Sequence, residues 1–97
     1  MNAAEAGPSP RYPAVHKMTQ HEAWTVAHFG WEKFLVQSLP APYRARVGAC
    51  EGGPWVWRCP ALGIGSDARC TASVWVWKGR GADNYYLEWH HLRCDAN

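Results

Sequence analysis

The sequence predicts an α+β fold, one N-terminal helix packed on a three-stranded antiparallel sheet. Three observations carry that expectation. A single stripe of apolar residues at spacings of three and four runs from Thr19 to Leu39, which is the period of a helix with one buried face. After Pro54 the period changes to two, through three runs rich in aromatic and β-branched residues. The chain has 97 residues, which allows one core and no second one beside it.

The elements follow in order. Residues 1–17 read as a disordered tail, because Asn2, Gly7, Pro8, Ser9, Pro10 and Pro13 offer little to pack. Residues 18–97 read as the domain. Thr19 with Glu22 three positions on is a capping box for a helix over 19–39. Trp24, Ala27, Trp31, Phe34, Leu35 and Ser38 form its stripe, and Pro40 and Pro42 end it. Gly30 interrupts that helix and invites a close approach by a neighbouring element. His21 and His28 lie seven apart, on similar headings but two turns apart, so a solvated helix edge is preferred to a metal pair. Tyr43 to Val47 reads as a short connection.

The sheet is expected over 55–91. Its strands are Trp55–Cys59, Thr71–Lys78 and Tyr85–His91, with 60–69 as a loop and Gly79–Asn84 as the turn of a hairpin. Pairing Trp77 with Tyr85 places Trp75, Trp77, Tyr85, Leu87 and Trp89 on one face, which the helix would cover. Trp-Val-Trp occurs at 55–57 and again at 75–77. Paired strands account for that more simply than duplication does.

Four cysteines and five histidines mark the chemistry. Met1 to Pro13 has no apolar core of a signal peptide, so the expected compartment is the cytoplasm. Disulfides are disfavoured there, which shifts weight to metal binding or to buried thiols. Cys59 closes the first strand, Cys70 opens the second, and His90-His91-Leu92-Arg93-Cys94 ends the third. Antiparallel pairing would gather these at one end of the sheet. The expected cofactor is zinc on Cys59, Cys70, His91 and Cys94, with His90 or Cys50 as substitutes. A Cys59–Cys70 disulfide, a Cys50–Cys94 pair and reduced structural cysteines remain the alternatives.

Trp57-Arg58-Cys59, Cys70-Thr71-Ala72 and His90-His91-Leu92-Arg93-Cys94 together resemble the zinc finger of the WRKY and FLYWCH groups, over about residues 54–94. The resemblance implies a small antiparallel sheet holding one zinc, and binding to DNA or to protein. The chain departs from that pattern in three ways. Ten residues separate Cys59 from Cys70, no base-reading heptapeptide is present, and from Tyr43 on seven Arg and Lys oppose five Asp and Glu.

Net charge is only +2, which argues against a generic polybasic binder of nucleic acid. No apolar run approaches the length of a membrane helix, so no membrane partner is expected. A Cys70–His90 or Cys70–His91 pair lacks an oxyanion hole and an orienting carboxylate, so no catalytic residue is assigned and an enzyme is not expected. Seven tryptophans in so short a chain exceed what one core needs, and Trp is enriched in binding hot spots. The expected function is a small non-catalytic module that binds a protein partner. Its role would be regulatory or inhibitory, with the profile of small regulators carried by phage and mobile elements. Trp55, Trp57, Arg58, Tyr86 and Arg80 are its candidate contacts. A zinc-finger-like domain that binds nucleic acid is the alternative.

Overall fold

Helix α1 spans Gln20–Ser38 and starts where the capping box places it. The Thr19 hydroxyl accepts from the Glu22 amide at 3.1 Å, satisfying one of the four orphan donors of the first turn. Ala23, Ala27, Trp31 and Leu35 are the buried face. Trp24 and Phe34 pack half-buried beside it, while Ser38 is exposed. In this computed structural model residues 12–81 and 83–96 are described.

The sheet has five antiparallel strands rather than three. They are β1 (Tyr43–Val47), β2 (Glu51–Gly52), β3 (Val56–Gly65), β4 (Ala68–Lys78) and β5 (Tyr85–Ala96). The order is β1-β3-β4-β5, with β2 pairing β3 beyond the end of β1. The segment expected to be a connection is β1, whose Tyr43, Ala45 and Val47 face the core while Arg44 and Arg46 face out. Gly52, which ends β2, and Gly53 after it both take positive φ, a backbone conformation that a side chain opposes.

The expected loop at 60–69 is mostly strand. β3 continues through Pro60 to Gly65, and β4 starts at Ala68. Pro60 is tolerated for a geometric reason. In a strand the N–H and C=O of one residue point the same way, and the Pro60 carbonyl accepts from the Gly48 amide at 2.8 Å. Its missing donor therefore faces the gap between β1 and β2, not β4.

The pairing of β4 with β5 is shifted by one residue from the expected register. Lys78 pairs with Tyr85, Trp77 with Tyr86 and Trp75 with Glu88. A slip of one residue reverses every side chain. Val74, Val76, Tyr85, Leu87 and Trp89 therefore pack toward the helix, and Trp75 and Trp77 face the other way. Just past its midpoint β5 carries a bulge, where His91 and Leu92 together oppose Ala72 and His91 has φ 56°.

The core lies between α1 and the inner sheet face. Trp31, Leu35, Cys59, Cys70, Val74 and Val76 are completely buried there. The close approach expected at Gly30 is present, since a Cβ there would sit 2.5 Å from Leu87 Cδ2. Most of the expected tail lies outside the described residues. Its described part, Tyr12–Lys17, lies against the sheet: Ala14 is buried, and the Val15 amide donates to the Lys78 carbonyl at 2.8 Å.

Candidate interaction surface

The cysteines pair with each other. Cys50 bonds to Cys59, and Cys70 bonds to Cys94. The zinc site expected on Cys59, Cys70, His91 and Cys94 is thereby overturned, as is the substitution of Cys50 or His90. No thiolate is left to bind a metal. Among the described residues no group of three or more His, Cys, Asp or Glu could hold a metal ion.

The topology explains the outcome. Cys70 does lie directly opposite Cys94, as the antiparallel hairpin requires. Cys59, however, lies opposite Val74, and the residue opposite Cys70 is Gly63. Four strand residues, roughly 13 Å, separate Cys59 from that position. The alternative pairings Cys59–Cys70 and Cys50–Cys94 fail for the same reason. Cys50 instead precedes β2, whose pairing of Glu51 with Arg58 sets it across from Cys59.

The tryptophans divide by task. Three indole N–H groups hold segments together: Trp24 donates to Val47 at 2.8 Å, Trp57 to Met18 at 3.0 Å and Trp77 to Tyr12 at 2.6 Å, each at a backbone carbonyl. The fully buried Trp31 stacks on Phe34 and meets Trp89, both half-buried at the edge of the core. The Trp31 indole nitrogen is buried without a partner. Trp55 lies under the Lys17 ammonium. Only Trp75 is a half-buried platform on the face away from the helix.

That outer face is built in rows across the strands. One row reads Glu51, Arg58, Trp75, Glu88. The next is Pro60, Ser73, His90. Farther along come Arg46, Leu62, Thr71, Arg93 and then Arg44, Ile64, Arg69, Asp95. The His90 ring stacks on Trp75 at 4.1 Å, and the Arg58 guanidinium lies 5.8 Å from the same ring. The Glu88 carboxylate holds His90 Nε2 at 2.5 Å. A shallow depression of about 410 Å³ beside this cluster is lined by Ala49, Glu51, Arg58, Pro60 and Ser73. Tyr86 stands on the same face against Tyr12 and Trp77, and exposed Arg80 borders it at the turn.

Of the candidate contacts, Arg58, Tyr86 and Arg80 therefore share one side of the molecule. Trp57 does not, because its side chain packs against the core side of the sheet. Trp75, assigned to the core from the sequence, is brought out by the shift in register.

On the inner side one polar cluster ties α1 to the hairpin. Glu22 Oε2 accepts from the Tyr85 hydroxyl at 2.5 Å and from Lys78 Nζ at 3.2 Å. The Tyr85 hydrogen bond, with lesser help from Lys78 and the Thr19 backbone and against some desolvation, holds the Glu22 carboxyl below its usual pKa. The same bond raises Tyr85, and the carboxylate raises Lys78.

No family model, curated protein or solved structure matches the chain. None of the comparisons bears on the resemblance to the WRKY and FLYWCH fingers. Among the described residues no helix is long and apolar enough to cross a membrane.

Proposed function

We propose that the chain is a non-catalytic binding module that recognises an acidic surface on a protein partner, with a regulatory or inhibitory effect. One observation carries the reading. The outward sheet face sets Arg44, Arg46, Arg58, Arg69 and Arg93 against Glu51, Glu88 and Asp95, in rows that run along the sheet from the Trp75–His90 stack. Arg and Trp are the residue types that dominate interface hot spots, and a rigid strand backbone lowers the entropy lost on binding. Arg58 over the indole keeps its donors free for a carboxylate while the ring supports it. Two disulfides in so short a chain favour an oxidising compartment over the cytoplasm as the place of action.

The same arginines favour a second reading, binding of single-stranded nucleic acid with bases stacked on Trp75. One experiment separates the two. The oxidised chain is used as bait in nuclease-treated extract, beside a variant carrying Arg58→Glu, Arg69→Glu and Trp75→Ala. A protein retained by the wild type and lost by the folded variant supports the protein reading. Equal retention by both contradicts it. A gel shift with single strands at low salt that the variant abolishes selects the nucleic-acid reading.

A further inference from the structure

The two bridges differ in what surrounds them. Cys50 and Cys59 are both buried, at 2% and 0%. The Gln20 side chain reaches from α1 to donate to the Cys50 carbonyl at 2.6 Å. The other bridge is one-sided: Cys70 is fully buried, whereas Cys94 is exposed.

The sheet order gives the reason. Cys70 lies in β4, an inner strand, opposite Gly63 of β3. Leu35 packs so closely on Gly63 that a Cβ there would sit 2.5 Å from Leu35 Cδ2. The side of the bridge beyond Cys70 is therefore closed by β3 and α1. Cys94 lies in β5, the last strand in the order, so the side beyond Cys94 is the open edge of the sheet. From Tyr85 to His90 β5 is half-buried, but from His91 to Ala96 every residue is exposed. The bulge at His91 separates these two halves.

We infer that Cys94 is a thiol-exchange site, through which a dithiol reductant opens the Cys70–Cys94 bridge while Cys50–Cys59 stays closed. A thiolate attacks a disulfide sulfur from the side away from its bonded partner, so access decides which bridge and which sulfur react. The first thiolate of the reductant bonds to Cys94 Sγ. The Cys70–Cys94 bond breaks, and Cys70 leaves as a thiolate and takes a proton from water. The second thiolate of the reductant then attacks the reductant sulfur of this mixed disulfide. A disulfide closes within the reductant, and Cys94 leaves as a thiolate and is protonated in turn. The chain gains two electrons and two protons, and the reductant dithiol loses as many.

Opening the bridge has a structural consequence. His91–Ala96 buries no residue of its own, and its bridge to the buried Cys70 is what fixes it to the core. After reduction the segment is held by its ladder with β4, and strand ends of this exposed kind open at low cost. Arg93 and Asp95 would leave the outer sheet face with it. The inference stands apart from the proposed function, because the order of reduction is read without any partner.

The test uses the oxidised chain under native conditions, with dithiothreitol as the dithiol. Samples are quenched with iodoacetamide at intervals and mapped by mass spectrometry. The expected first product is alkylated at Cys70 and Cys94 with Cys50–Cys59 intact, formed at least roughly tenfold faster than any opening of the other bridge. Glutathione, a monothiol, is expected to be trapped as a mixed disulfide on Cys94 and not on Cys70. Hydrogen exchange of the selectively reduced chain is expected to rise roughly tenfold or more over residues 92–96, with 85–90 unchanged. In denaturing urea the preference should fall to within roughly threefold, since access is then equal. Bridges that open together, Cys50–Cys59 opening first, or no reaction before unfolding would overturn the inference. Glutathione on Cys70, a preference that persists in urea, or unchanged exchange over residues 92–96 would also overturn it.

Discussion

Removing either disulfide alone gives the sharpest energetic prediction, because the two close loops of different length. Cys50–Cys59 spans 9 positions of sequence and Cys70–Cys94 spans 24. In the chain-entropy model a cross-link stabilises by restricting the unfolded chain, more for the longer loop. The closed loops give about 2.7 kcal/mol for the first bridge and about 3.5 kcal/mol for the second. The loops do not overlap, so the effects should add to roughly 6 kcal/mol. That is comparable to the whole stability of many small domains, about 5–15 kcal/mol. The variants are Cys50→Ala with Cys59→Ala, and Cys70→Ala with Cys94→Ala. Urea unfolding of each, followed by tryptophan fluorescence, gives the free energies and the m-values. The second pair is expected to cost more than the first, and m should rise in both because the freed unfolded chain exposes more surface. Loss of less than about 1 kcal/mol in both pairs, with unchanged m, would refute the reasoning. The cysteines would then contribute as small buried hydrophobes only.

Three further predictions concern single contacts. Glu22→Gln should remove part of the acid sensitivity of folding. The folded carboxyl titrates below its ordinary value of 4.5, so its contribution is present above that value and is lost as the pH falls through the folded pKa. Wild type and variant should therefore differ in stability at neutral pH and converge in acid, which urea titrations across pH will show. Gly30→Ala should destabilise by about 1–2 kcal/mol, even though Ala favours a helix by about 1 kcal/mol, because the new methyl meets Leu87 at 2.5 Å. Adding Leu87→Ala should make the Gly30→Ala step favourable, and a thermal-melt double-mutant cycle will read this coupling. Trp75→Ala should leave stability within about 1 kcal/mol, given its half-buried position, while abolishing retention of the partner in a pull-down.

Local signals and long-range pairing differed in how far the sequence revealed them. The helix was legible because its information is local: Thr19 and Glu22 mark the start, Pro40 bars continuation, and Ala27, Trp31 and Leu35 share one heading. The antiparallel arrangement of β4 and β5 was legible from the Gly79–Asn84 turn. Their register was not, because a turn can hold one residue more or less at little local cost, and that one residue decides whether Trp75 faces the core or solvent. β1 was hidden because Arg44 and Arg46 made a five-residue edge strand look polar. The segment 60–69 is expected as a loop, yet Pro60 lies inside β3. Whether a proline breaks a strand depends on which side of it needs a donor, and that is a property of the neighbours. The zinc expectation followed from this misreading. With 60–69 as a loop, Cys59 and Cys70 meet at its mouth; with those residues as strands, Cys59 pairs with Cys50 and Cys70 with Cys94. Of the residues on or bordering the proposed outer face, the sequence singled out Arg58, Arg80 and Tyr86 and not Trp75, because residue type is printed in the chain and facing is not.

The proposed oxidising compartment and the correction of the zinc expectation both rest on the two bridges. Their direct test is peptide mapping by mass spectrometry on protein purified without reductant, with metal content measured on the same sample. The expected result is an intact mass four hydrogens below the reduced chain, no bound zinc, and cross-linked peptides joining Cys50 to Cys59 and Cys70 to Cys94. Four free thiols with one zinc per chain, or bridges joining Cys59 to Cys70 and Cys50 to Cys94, would contradict it.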